Sequence, residues 1–283
     1  MIIHTENIRV GYGNTKLRIR PLGDIHLGHI GHDSKLFNKA VQEHANDPAG
    51  WCIITGDIID DDRPSSRQKR VHMYSDRVDA QPFDDEQHQL WLDHKVIPVL
   101  KPLANRCLGA LDGDHFRLYS DGTTSTMYIC RKLKIPYLGE RMAWVRMLFS
   151  TKAKGEGQRC MYLIHASHGA GSASTYGGDI NALIRQVSGF EADLCIAGHT
   201  HKCMPAQIPI LYPDQRGEKI REKMRTYVRT GGFLRGYLEK RTTYVEKAGY
   251  SPLALRYPVI ELTLGRCKAN NCSLSVEDVK VTI

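Results

Sequence analysis

The chain has 283 residues, of which 41% are hydrophobic and 25% charged, with a formal net charge of +8. This mixture is ordinary for a globular protein and excludes collagen, coiled-coil and disordered classes; it allows one large α/β domain or two small ones. No apolar run approaches the ~20 residues of a membrane span, and MIIHTENIRV lacks the parts of a secretory leader, so a cytoplasmic location is expected.

The first segment, Ile2 to Leu22, alternates weakly and predicts strands and a turn. LGDIH (22–26) reads as a strand end entering a loop. Asp33 or Ser34 caps a predicted helix with apolar positions Leu36, Phe37, Ala40, Val41 and Ala45. WCIIT (51–55) is a continuously apolar strand, as in a sheet buried on both faces. Residues 61–88 are polar, carry Arg63, Arg67, Lys69, Arg70 and Arg77, and read as a partly helical basic insertion. An amphipathic helix is predicted over Asp84 to Val99, ended by Pro98 or Pro102.

RCLGAL (106–111) is another buried strand, and Thr124 to Leu133 a helix. MAWVRMLFS (142–150) alternates and CMYLIH (160–165) is continuous; both read as strands. The Gly/Ser segment 166–179 reads as a loop of fourteen residues, a length that is usually functional. A helix from Asp179 to Val187 precedes the strand DLCIA (193–197), and 203–283 looks mainly β. The pattern indicates a single domain over 1–283, with no internal repeat.

The eight cysteines mostly lie in apolar runs and read as buried free thiols in a reducing compartment. Neither close pair, Cys195 with Cys203 or Cys267 with Cys272, has zinc-finger spacing. The positive net charge suits a phosphate-bearing partner.

Five short blocks each follow an apolar strand: Gly23–His26 (GDIH), Gly56–Asp60 (GDIID), Gly113–His115 (GDH), His165–Gly169 (HASHG) and Gly198–His201 (GHTH). Loops at the carboxyl ends of strands are where open α/β sheets place their sites. Asp24 and His26 are two apart, so an extended backbone points both to one side, and His199 and His201 repeat that spacing. Two adjacent divalent ions repel, so a carboxylate must bridge them, and Asp57 is the natural bridge. Imidazole and carboxylate without thiolate suit manganese, the preferred choice, or zinc, iron or nickel. A lone block is weak; five in this order, each at a strand end, are specific.

Over roughly residues 20–202 the blocks resemble those of the calcineurin-like metallophosphoesterases, whose pattern is D-x-H, G-D-x-x-D, G-N-H-[DE], H-G or H-x-G, and G-H-x-H. The resemblance implies a four-layer α/β/β/α sandwich with two mixed β-sheets. It implies that Asp24, His26 and His201 hold a first metal ion, that Asp57 bridges, and that Asp114, His168 and His199 hold a second. His115 becomes the acid that protonates the leaving oxygen. Two features depart from the pattern. The third block reads GDHF, with Asp114 for asparagine and Phe116 for the acidic residue, leaving Arg117 to orient His115 or contact phosphate. In the fourth block His165 or His168 could ligate. His168 is preferred because Gly169 follows it, which leaves His165 as a packed, hydrogen-bonded strand residue.

The implied chemistry is in-line attack on phosphorus by a metal-activated hydroxide, with no covalent enzyme intermediate. Tyr176 in the loop after the fourth block, and Arg229 and Arg235 after the fifth, are candidate substrate contacts. Basic residues there interleave with Phe233, Tyr237 and Tyr244, as on a nucleic-acid-binding surface. The leading reading is a phosphodiesterase or DNA exonuclease acting on a polyanion. A phosphomonoesterase is the alternative, and a non-catalytic binding subunit on the same fold comes third, since the ligand blocks are intact.

Overall fold

The computed structural model describes residues 1–11, 15–61, 84–151, 159–171, 173–214, 217–240, 242–247, 249–266 and 274–283. Most of the basic insertion, with Arg63, Arg67, Lys69, Arg70 and Arg77, lies outside them, as do Arg241, Cys267, Cys272 and the Tyr244 side chain.

The strands are β1 (Ile2–Arg9), β2 (Thr15–Leu22), β3 (Gly50–Ile54), β4 (Cys107–Leu111), β5 (Tyr137–Gly139), β6 (Met142–Ser150), β7 (Arg159–Ser167), β8 (Leu194–Ala197), β9 (Cys203–Pro213), β10 (Ile220–Thr230), β11 (Val259–Arg266) and β12 (Leu274–Thr282). They form two six-stranded sheets, ordered β1-β6-β7-β8-β10-β9 and β12-β11-β2-β3-β4-β5. Both are mixed. In the first, β7, β8 and β10 run parallel while β6 and β9 are antiparallel to β7 and β10. In the second, β2 to β5 are parallel, and β11 and β12 add antiparallel strands at one side.

The alternation of β6 explains how the sheets meet. Ala143, Val145, Met147 and Phe149 point inward and join Ile19, Ile53, Leu108, Leu111, Ile164, Ile196, Val228 and Leu262 in the core between the sheets. Each such side chain contributes roughly 1.5–3 kcal/mol by leaving water. The outer face of the second sheet is covered by α1 (Ser34–Ala45), by α2 (Asp85–Trp91) with α3 (Ile97–Leu100), and by α4 (Ser125–Leu133), around Phe37, Val41, Leu92, Leu100 and Ile129. The outer face of the first carries α5 (Tyr176–Gln186), which packs Leu183 on Cys195, Ala197 and Tyr227. A short α6 (Tyr244–Lys247) follows β10. The four layers are the expected α/β/β/α sandwich.

Three local expectations differ from the structure. Of the two prolines expected to end the helix, Pro98 does not: a π turn over Leu92–Val96 joins α2 to α3, Pro98 falls in the first turn of α3, and the run ends in a 3₁₀ turn over Lys101–Leu103 that holds Pro102. Helix α5 starts at Tyr176, because the Thr175 hydroxyl accepts from Gly178 N and caps it. With β7 running on to Ser167 and α5 starting at Tyr176, the connection between them is shorter than the fourteen residues expected. The six described cysteines are free thiols. Among the described residues, no helix is long and apolar enough to cross a membrane.

Candidate metal centre

All five blocks leave the carboxyl ends of parallel strands at one edge of the sandwich. Asp24 follows β2, Asp57 follows β3, Asp114 follows β4, His168 follows β7, and His199 and His201 follow β8. The loops are laced together by backbone. Ile25 and His26 N–H both donate to Asp57 O at 2.9 Å, and Asp57 N–H donates to Asp112 O at 3.0 Å.

The geometry that aims the ligand side chains is not the extended one expected. Asp24 and His26 each have φ +52°, Asp57 +53°, His199 +72° and His201 +55°. A non-glycine residue pays steric strain in this left-handed region, and such strain concentrates where function demands it. The i, i+2 pairs therefore share a site because both members turn left-handed. The neighbouring glycines admit this: Gly56 has φ +108°, and a Cβ there would lie 2.6 Å from His168 Nδ1 and 2.8 Å from Gly113 Cα.

The side chains converge in overlapping groups whose donor atoms lie within 4.8 Å of one another: Asp24, His26 and His201; Asp24, Asp57 and His168; and Asp114, His168 and His199. A further group joins His26, Asp57 and His115. His168 Nε2 is 3.2 Å from oxygens of both Asp57 and Asp114, and His199 Nδ1 is 2.9 Å from Asp114 Oδ2. His26 Nε2 is 3.8 Å from Asp57 Oδ2, and His201 Nε2 is 3.6 Å from Asp24 Oδ1. All seven expected ligands are thus brought together.

These residues fit divalent metal. His26 Nε2 and His168 Nε2 are buried and face carboxylate oxygens at 3.8 and 3.2 Å, an arrangement that a shared cation would satisfy. Their other nitrogens are engaged. His168 Nδ1 lies 2.9 Å from Thr55 O, so it donates there and turns Nε2 toward the carboxylates. His26 Nδ1 lies 3.2 Å from Asp60 Oδ1. Asp57 Oδ1 accepts from the N–H groups of Asp114 and His115 at 2.7 and 2.9 Å, which leaves Oδ2 facing the histidines.

Charge is concentrated here. Burial would raise the Asp57 carboxyl, yet His168, His115 and His26 hold it well below the usual carboxylate range. Asp114 is likewise held low against burial by His168, His199 and Arg141. Burial opposes a proton on His168, but Asp57 and Asp114 push it up to about 10: the carboxylates call for a cation at this point.

His165 is not in the centre. It lies in β7, stacked on Phe190 at 4.6 Å and edge-on to Trp144 at 5.6 Å. Its two ring nitrogens make no hydrogen bond, so it is packed without the partner expected of it, and burial lowers it to about 4.

His115 lies beside the first group, its ring 4.7 Å from that of His26. Its Nδ1 is 3.2 Å from Asp60 Oδ1. The carboxylate missing at Phe116 is therefore supplied by Asp60, the last residue of the second block, which serves His26 as well. Arg117 Nε reaches Asp85 Oδ1 at 3.3 Å.

The expected substrate contacts are placed differently from one another. Tyr176 is 45% exposed at the start of α5. Arg235 pairs with Asp33 Oδ2 at 2.6 Å, beside the N-terminus of α1. Arg229 has no exposed surface. Its Nη1 donates to Gly198 O at 3.2 Å and its Nη2 to Asp179 Oδ1 at 3.3 Å, so it ties α5 to the fifth block from beneath. Phe233 is also fully buried, against Phe37 and Tyr257, and offers no stacking platform.

Sequence reading passed over Arg141, between β5 and β6, and Lys202, buried beside Asp179 and bonded to Ala173 O. A lysine directly after GHTH was the only local signal for either.

No protein-family model and no curated protein matches the sequence. Among solved structures, the chain is similar to zinc-complexed Vps29 of Entamoeba histolytica, at 11% identity, covering 94% of this chain and 99% of that one, with TM-score 0.42. It is similar to a predicted phosphoesterase of Streptococcus pneumoniae, at 11% identity over 95% and 98% with TM-score 0.34. It is also similar to the NAD nucleotidase of Haemophilus influenzae, at 11% identity over 93% of this chain and 49% of that one with TM-score 0.39. Likenesses this distant bear on neither activity nor substrate. The four layers and the convergence of the five blocks, read from this chain alone, agree with the fold that its resemblance to the calcineurin-like metallophosphoesterases implies.

Proposed function

We propose that the protein is a metal-dependent phosphoesterase with two divalent ions, cleaving phosphodiester bonds in DNA or another polyanion. One observation carries this reading: buried imidazole nitrogens of His26 and His168 converge with the carboxylates of Asp24, Asp57 and Asp114. Asp24, His26 and His201 would hold one ion and Asp114, His168 and His199 the other, with the Asp57 carboxylate within reach of His26 and His168. Manganese is the preferred ion; zinc, iron and nickel suit the same donors.

When bound, such a pair supplies Lewis-acid chemistry to a phosphoryl group and its attacking water. The protein's own part lies in orientation and proton delivery. Asp60 engages the Nδ1 side of His115 at 3.2 Å and orients the ring, whose imidazole would deliver a proton to the leaving oxygen. Thr55 O fixes the His168 tautomer in the same manner. The net charge of +8 favours approach of a polyanion over a neutral ester.

The test is incubation with manganese and either bis-p-nitrophenyl phosphate or p-nitrophenyl phosphate, alongside labelled single- and double-stranded DNA and RNA. Diester hydrolysis with nucleic-acid cleavage supports the reading. Hydrolysis of the monoester alone replaces it with a phosphomonoesterase. Absence of both activities and of bound metal replaces it with a binding subunit.

A further inference from the structure

Arg141 sits in the turn between β5 and β6 and belongs to none of the five blocks. It nevertheless touches two of them. Its Nη1 donates to the Asp114 carboxylate and, at 3.2 Å, to Gly113 O. Its Nη2 donates to Gly169 O at 3.3 Å. Its backbone carbonyl accepts from His168 N at 2.9 Å, and the carbonyl of Glu140 beside it accepts from Gly113 N at 3.1 Å. One guanidinium therefore spans the third and fourth blocks, and both carbonyls it binds belong to glycines with positive φ, +90° at Gly113 and +95° at Gly169.

The position matters because of what stands at Asp114. An amide there would be neutral; the aspartate brings a full charge, and its side chain is 37% exposed, the loosest carboxylate of the centre. A fork of planar donors is the group best suited to hold a carboxylate in one orientation while bonding nearby carbonyls.

We infer that Arg141 is a positioning residue for the second half of the metal centre, and that Asp114 and Arg141 act as one ion-paired ligand unit. The arginine fixes the Asp114 carboxylate toward His168 and His199, offsets its charge, and keeps the His168 loop in register with the Asp114 loop. This inference rests on the two-ion reading above.

Calorimetric titration of the purified full chain with manganese chloride tests it, using unaltered protein, Arg141→Met, Asp114→Asn and the double variant. Both side chains are more than a third exposed, so the fold is expected to survive, as circular dichroism checks. Arg141→Met should weaken the second manganese site about tenfold, the scale on which residues behind metal ligands act. In the Asp114→Asn background the same change should cost less than about threefold, because the unit is already broken. Arg141→Lys should not restore the affinity, since an ammonium lacks the fork. Unchanged or tighter second-site binding in Arg141→Met, or equal losses in both backgrounds, overturns the inference while leaving two-ion binding intact. Fewer than two manganese equivalents on the unaltered protein overturns the two-ion reading and this inference together.

Discussion

The parallel strands of the second sheet end in two charged poles that handle charge in opposite ways. At the amino ends of β3 and β4, Asp47 is closed off. Arg18 Nε and Arg20 Nη1 donate to its Oδ2 at 2.7 and 2.8 Å, Ala49 N donates to its Oδ1 at 3.0 Å, and Arg106 bonds the carbonyls of Asp47 and Gly50 at 2.8 and 2.7 Å. At the carboxyl ends, Asp24, Asp57 and Asp114 face histidines, and the Nε2 atoms of His26 and His168 are buried among those carboxylates. A carboxylate saturated with guanidinium and N–H donors holds the fold, whereas carboxylates gathered on imidazoles suit a ligand. Substitution at each pole should therefore separate stability from activity.

The largest effect is expected at the carboxyl-end pole. Asp57→Asn keeps an oxygen to accept from Asp114 N and His115 N, so melting should shift little. Losing the shared carboxylate should lower hydrolysis about a thousandfold or more, roughly the several kcal/mol that metal-assisted charge stabilisation provides. Turnover assays beside a thermal melt check both halves; retained turnover breaks the comparison.

At the closed pole the pattern reverses. Asp47→Asn leaves the buried Arg20 guanidinium without its counter-charge and should cost about 3 kcal/mol in urea unfolding. Activity per folded molecule should stay the same. Arg18, ahead of the opposing effect of burial, holds the Asp47 carboxyl far below its ordinary range. Its stabilisation is thus complete above about pH 4, where the unfolded carboxyl is ionised, and is lost as pH falls below that. Unfolding midpoints from pH 6 to pH 3 should fall more steeply for the unaltered protein than for Asp47→Asn. Parallel curves would show that the pair does not set acid stability.

Asp60 lies between the poles in character, since it is buried like Asp47 yet serves the centre. Asp60→Ala frees both His26 and His115 and should weaken manganese binding ten- to a hundredfold. Calorimetry that finds full affinity would remove Asp60 from the support of the ligands.

The same contrast explains what was legible in the sequence. The ligands announce themselves because glycine, carboxylate and imidazole recur at strand ends, a local pattern with a chemical reason. His168 separates from His165 by position: one lies past the end of β7, the other within its body among aromatic rings. The positive φ values were hidden, since the side-chain types fit an extended segment equally well. Arg141 and Arg229 were hidden or misread for another reason. Arg141 reaches the centre from a turn remote from any block, and Arg229 looked like a surface arginine until the fold buried it beneath Gly198. Charge patterning along a chain does not reveal which arginines a tertiary structure turns inward.

Arg235 offers the smallest and most discriminating measurement. It pairs with Asp33, but its side chain is 56% exposed, so the pair is screened and holds two flexible groups for little return. Asp33 keeps its other task without it, accepting from Leu36 N at the start of α1. Arg235→Ala should therefore cost under about 1 kcal/mol in unfolding. If the exposed guanidinium also meets the polyanion, KM for nucleic acid should rise and its salt dependence should flatten, while KM for a small diester stays fixed. A KM unchanged for both substrates would make Arg235 a surface partner of Asp33 alone, and the positive approach to the centre would then have to come from other arginines and lysines.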